Sequence, residues 1–152
     1  MSLLTNENGF LLGIVMSQMY IENNVIHVGP IKNGSIDARG IKGPNFMHMF
    51  QNKPGYAVTS DHSVTLTEDN PFAKVIRGNL VSKTLHGASR TFIEEFVKGY
   101  FGNSYVNSEQ NCVANTSGLL WALAFLEVSC REEDNGRILV IEDTEALKNI
   151  LS

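Results

Sequence analysis

Between residues 116 and 130 the chain carries a long apolar run. Leu119, Leu120, Trp121, Ala122, Leu123, Ala124, Phe125, Leu126 and Val128 leave no polar stripe at helical spacing. A helix drawn over this run is oily on every side, and a helix of that kind must be buried on every side. In a two-layer domain a helix covers one sheet face and shows its other side to water. This one needs a sheet on one side and a second apolar layer on the other. The layer comes from the same chain or from another subunit. The expected fold is therefore α/β or α+β, a mixed sheet with a buried central helix, in a homo-oligomer, most simply a dimer.

The rest of the chain bounds that expectation. Its 152 residues suit one domain, 1–152, long enough for a proper core. Residues 1–67 read as a strand- and loop-rich part, and 68–152 as a helix–strand part. Hydrophobic residues make up 43% and charged residues 18%, the balance of a globular chain. Twelve basic and sixteen acidic residues give a net charge of −4, with no Lys/Arg cluster, so nucleic acid is not an expected partner. The apolar patch from Phe10 to Met16 is short and follows no basic residue, unlike a signal peptide. No stretch reaches the roughly 18 apolar residues that cross a bilayer. Cys112 and Cys130 are too few for a disulfide framework, so a reducing, cytoplasmic setting is expected.

Along the chain, residues 9–20 and 24–29 read as strands joined by the turn residues IENN, a hairpin. Residues 30–55 are rich in Gly, Pro, Asn and Lys and read as loop. Residues 56–67 have strand composition. Asn70-Pro71 is an N-cap followed by Pro at the first helical position, predicting a short helix over 71–77. Phe92, Ile93, Phe96, Val97 and Tyr100 place a helix over 88–101. A short strand at SYVN follows. The oily helix then runs from a cap at Asn115 or Thr116 to about Glu133. GRILVIE, 136–142, is continuously apolar, as in a buried parallel strand. Asp143 caps a final amphipathic helix, TEALKNIL. No internal repeat is visible.

His86-Gly87-Ala88-Ser89-Arg90, then Ala114-Asn115-Thr116-Ser117-Gly118, then RILVIED together resemble the thiolase-like superfamily, in particular the C-terminal half of beta-ketoacyl synthase III. The likeness covers about residues 80–143. In that family a His opens one helix and an Asn opens a buried one, and here His86 and Asn115 stand 29 positions apart. The resemblance implies a stacked helix and sheet architecture, acyl-thioester or acyltransferase-like chemistry, and an acyl-CoA or acyl carrier protein as partner. It makes His86 and Asn115 donors to an oxyanion. Cys112 or Ser117 would be the nucleophile, near a helix N-terminus where the dipole favours a thiolate. The family's nucleophile-bearing half has no counterpart in this chain, so the catalytic set is incomplete and enzymatic activity stays open.

Two other readings compete. Cys112 before a helix, with His27 or His62 on a strand, resembles papain-like cysteine amidases, in which a His polarises a Cys. Alternatively the chain is a small acidic binding protein without activity, such as an immunity or antitoxin-type partner that masks a basic surface. The sequence has no dinucleotide fingerprint, no P-loop and no metal-ligand spacing, so neither cofactor nor metal is expected.

Overall fold

The computed structural model describes residues 4–31, 46–103, 106–107, 111–116 and 118–151. Its elements fall into two series of the same form. The first is α1 (Asn6–Gln18), β1 (Met19–Glu22), β2 (Val25–Val28), α2 (Phe46–Phe50), β3 (Tyr56–Ser60), β4 (Ser63–Leu66) and α3 (Pro71–Arg77). A linking helix, α4 (Val81–His86), leads into the second series. That series is α5 (Arg90–Asn103), β5 (Val106–Asn107), β6 (Cys112–Ala114), α6 (Leu119–Phe125), β7 (Cys130–Glu133), β8 (Ile138–Ile141) and α7 (Thr144–Leu151). Each half reads helix, hairpin, helix, hairpin, helix. The strand orders also agree, β1-β2-β4-β3 in one sheet and β5-β6-β8-β7 in the other. The chain is thus an architectural repeat that no residue pattern announces.

The class is mixed helix and sheet, as expected, but every strand pair among the described residues is antiparallel. The expected mixed sheet is corrected accordingly. In the central strands β2, β4 and β8 burial alternates: Ile26, Val28, Val64, Leu66, Leu139 and Ile141 point inward. A sheet with one covered face needs only that alternation. GRILVIE is such a strand, with Ile138 and Val140 on the half-exposed face, and not a parallel strand buried on both sides.

The helix buried all round is α1. Residues Gly9 to Met16 are buried without a break. The expectation of a strand at 9–20 fails here, because an uninterrupted apolar run fits a buried strand and a buried helix equally. What decides for helix is the start, where Thr5 Oγ1 accepts from Asn8 N at 3.3 Å. The chain leaves the helix at Met19 and enters the hairpin, which turns at Asn23-Asn24 with both residues at positive φ.

α1 and α5 make the most extensive contact of any two elements. Glycines allow it. A Cβ on Gly9 would come within 2.7 Å of Phe92 O, and one on Gly13 within 2.7 Å of Tyr100 N. One on Gly99 would run into Phe10 O. The two backbones touch, running in the same direction, with Phe92, Phe96 and Tyr100 buried around them. No helix among the described residues is long and apolar enough to cross a membrane.

The predicted helix from 116 to about 133 is the second correction. α6 spans Leu119–Phe125 and buries only Leu119, Ala122 and Leu123. Its stop is a Schellman motif: Glu127 N donates to Ala124 O (3.0 Å) and Val128 N to Leu123 O (2.8 Å). Glu127 takes the left-handed position, φ +63, which usually holds glycine. A reader looking for Gly finds no stop there. The chain then turns over 126–129 and returns as β7, so the last four residues of the predicted helix are strand.

Other local signals stand as read. Asn70 Oδ1 accepts from Phe72 N at 2.9 Å and Pro71 opens α3. Asp143 Oδ1 accepts from Ala146 N at 3.1 Å and caps α7.

Candidate functional site

A shallow cleft of about 480 Å³ lies where β6 passes into α6. Ser82, Asn115, Thr116, Gly118, Leu120, Trp121 and Gly136 line it. Its floor follows from local geometry. Asn115 N donates to Arg137 O at 2.8 Å, and Asn115 Nδ2 donates to Gly136 O at 2.9 Å. These two bonds latch the segment to the β7–β8 turn. Gly118 then starts α6 at φ +88, and a Cβ there would sit 2.9 Å from Leu85 Cδ1. Without that side chain α6 closes onto α4.

The close approach brings His86, the last residue of α4, onto Trp121, with ring centroids 4.1 Å apart. Trp121 in turn stacks on Phe125 at 5.2 Å and 23°. His86 and Phe125 are exposed and Trp121 half-buried. Three rings therefore form a row along the outer side of α6.

The structure relates the candidate residues only in part. Asn115 lines the cleft and His86 flanks it through Trp121. Asn115 is a turn latch, not a helix cap, since α6 begins four residues later with Gly118 as its N-cap. His86 ends a helix, whereas the resemblance puts a His at the head of one; Ser89 Oγ caps α5, accepting from Phe92 N at 3.1 Å. Cys112 sits within strand β6, opposite Val140, on the face that alternates with buried Val113. The helix-dipole argument for its thiolate lapses. Ser117 lies outside the described residues. Among those described, Asn115 Oδ1 and Thr116 Oγ1 are out of solvent without a hydrogen-bond partner. Each such group costs about 1–3 kcal/mol.

The amidase arrangement finds no geometry. His27 lies on β2 in the first sheet, stacked on Tyr20 at 5.1 Å and 3.4 Å from Thr65 Oγ1. His62 sits in the β3–β4 turn of the same sheet, while Cys112 belongs to the second sheet. Among the described residues no three His, Cys, Asp or Glu side chains gather as a metal site would require.

Cys130 stands on β7, and its thiol is pushed up from the ordinary value. Burial is the main cause, and the carboxylates of Glu142 and Glu132 add to it. A negative field therefore reaches this end of α6. Residue-level reading missed Phe125 and Glu127 as surface features; the signal available was Glu127 itself, the one charge in LLWALAFLEV.

No family model matches the chain, and no curated protein matches it in sequence.

Proposed function

We propose that this chain is an acidic, cytoplasmic binding protein that works without covalent chemistry. One observation supports the reading above others: among the described residues, the groups that would do catalysis are held in structural roles. The Asn115 amide donates into the β7–β8 turn, the His86 ring lies on Trp121, and Cys112 belongs to a strand face. A nucleophile and two donors must converge on one reacting atom to accelerate acyl transfer.

The test is release of free thiol from a panel of acyl-CoA and acyl carrier thioesters. The expected outcome is no release above background, with His86→Ala indistinguishable from wild type. The acyl-thioester reading keeps one observation in its favour. The cleft sets the Thr116 hydroxyl, a buried donor without a partner, beside the aromatic row, although Asn115 has its amide N–H on Gly136 O and leaves only an accepting oxygen. Turnover by wild type that His86→Ala abolishes would establish that reading instead.

A further inference from the structure

We propose that the groove along α6 docks a segment of a partner protein that carries aliphatic or aromatic anchors followed by lysine or arginine. The proposal rests on the binding-protein reading above and says where and what it binds.

Three hollows meet along this helix. The cleft at Trp121 shares Leu120 with a groove of about 280 Å³ lined by Leu120, Ala124, Glu127, Val128, Ser129 and Cys130. That groove shares Glu127 with a third hollow of about 590 Å³, which contains Glu94, Asp143, Arg90 and Lys98. The trough is therefore mixed polar and aromatic at Trp121, apolar along Leu120, Ala124 and Val128, and mixed in charge past Glu127, where Glu127 and Asp143 are the carboxylates without a cationic partner among the described residues. Arg90 is already paired with Glu94 at 3.5 Å, and Lys98 with Glu95 at 3.1 Å. Phe125, 42% exposed, flanks the trough by stacking on Trp121. Exposed apolar surface rimmed by polar groups marks interaction sites.

Charge selects the occupant. Residues 127–145 hold seven carboxylates (Glu127, Glu132, Glu133, Asp134, Glu142, Asp143, Glu145) against Arg131 and Arg137. That is −5 in a chain whose total is −4. Arg131 is spent on Glu133 and Glu142. Glu127 and Glu132 have no cationic partner among the described residues. A second copy of this chain would set one acidic rim against another, which disfavours self-association at this face.

The backbone adds an independent mark. Eight non-glycine residues among those described have positive φ, and seven of them are Asn or Asp. Asn and Asp tolerate that region, but Glu does not share their short side chain. Glu127 is the exception, placed where the apolar groove meets the charged hollow. Unfavourable backbone held at one position is a pointer to function.

Trp121 is the only tryptophan and lies in the trough, so its emission reports occupancy. The probes are two 14-residue amphipathic peptides with identical leucine positions, one Leu/Lys and one Leu/Glu. The Leu/Lys peptide should shift Trp121 emission saturably and the Leu/Glu peptide should not. Phe125→Ser should weaken binding by about tenfold or more, as loss of an aromatic anchor does. Glu127→Lys, which keeps an unbranched side chain at the same φ, should weaken it by about fivefold, an effect erased in about 0.5 M salt. Glu22→Lys on β1, in the other sheet, should change nothing. No saturable shift, an unaltered Phe125→Ser, or equal weakening by Glu22→Lys overturns the proposal. So does a dimer in sedimentation that Phe125→Ser dissociates, because the occupant is then a second copy. Thioester turnover by wild type would sink the binding-protein reading whatever the peptides do. Silence in that assay together with silent peptides sinks the trough alone.

Discussion

The two halves build the same frame and spend their apolar residues differently. In the first half the middle helix, α2, buries Phe46, Met47 and Phe50 and exposes only His48 and, in part, Met49. In the second half α6 buries Leu119, Ala122 and Leu123 and leaves Leu120, Trp121, Ala124 and Phe125 partly or wholly at the surface. The first half's helix shows that this position can be closed within the core. Apolar surface on α6 is therefore a property of that helix and not a cost of the architecture. Two helices at non-corresponding places in the halves share one kind of stop. α3 stops in a Schellman motif on Asn79, and α6 stops in the same motif on Glu127.

The largest test breaks what the halves share. Gly99→Val places a branched side chain against Phe10 O at the α1–α5 contact. Neither backbone can yield, so the loss should exceed about 3 kcal/mol, the range of severe overpacking. Gly87→Ala lies outside that contact, with nothing closer than Thr84 O at 3.8 Å. It should change stability by less than about 1 kcal/mol. Urea unfolding of both variants reads the difference. Equal midpoints would mean that the two halves do not depend on that helix pair.

The second test compares the caps of the closing helices. Asn70 is 2% exposed and holds both Gly55 O and Phe72 N, at 2.7 and 2.9 Å. Asn70→Ala strands the buried Gly55 carbonyl and removes the cap, so about 2 kcal/mol should be lost. The Tyr56 phenol, which burial pushes up, also loses its hydrogen bond to Asn70. Asp143, the corresponding cap of α7, is exposed, and Asp143→Ala should cost about 0.5–1 kcal/mol. Reversal of that order would show that burial of the cap does not set its worth in this fold. A smaller effect belongs to Tyr100, whose hydroxyl donates to Ala114 O at 2.6 Å and ties α5 to β6. In α1, Ser17 Oγ donates back to Ile14 O in its own helix, and Glu7 at the other end pairs with Lys53 at 3.2 Å. Tyr100→Phe should cost about 1 kcal/mol in chemical denaturation.

Residue patterns made legible whatever is settled locally. Asn70-Pro71 and Asp143 mark helix starts through side-chain caps, and Asn23-Asn24 marks a hairpin through residues that accept positive φ. The α5 stripe shows because one side of that helix meets water. α1 was illegible for the opposite reason: burial from Gly9 to Met16 removes the polar phase that distinguishes helix from strand. The chain does hold a helix covered on all sides, but α1 meets that requirement and 116–130 does not. The site suffered similarly. Asn115 and His86 reach one cleft, but through a turn latch and a ring contact between segments far apart in the chain. The repeat itself stayed hidden because it resides in strand order and helix placement, which many sequences satisfy.

The smallest predicted effect separates the two Schellman stops most sharply. Asn79 and Glu127 both hold left-handed φ, +56 and +63, and both precede a residue whose N–H closes the motif. Asn tolerates this region because its short polar side chain bonds locally, whereas a longer L side chain bears a penalty of about 1 kcal/mol or more. Glycine removes that penalty but adds freedom to the unfolded chain. Glu127→Gly should therefore stabilise the protein by about 0.5–1 kcal/mol, and Asn79→Gly by less than about 0.5 kcal/mol. Thermal unfolding should show a rise in Tm for the first and almost none for the second. The same Glu127→Gly variant should bind the Leu/Lys peptide more weakly, since it removes the carboxylate between the apolar groove and the charged hollow. Stability gained together with binding lost is the signature of a residue kept for its charge. If Glu127→Gly destabilises instead, the glutamate has a packing role at the end of α6, and its positive φ says nothing about a partner.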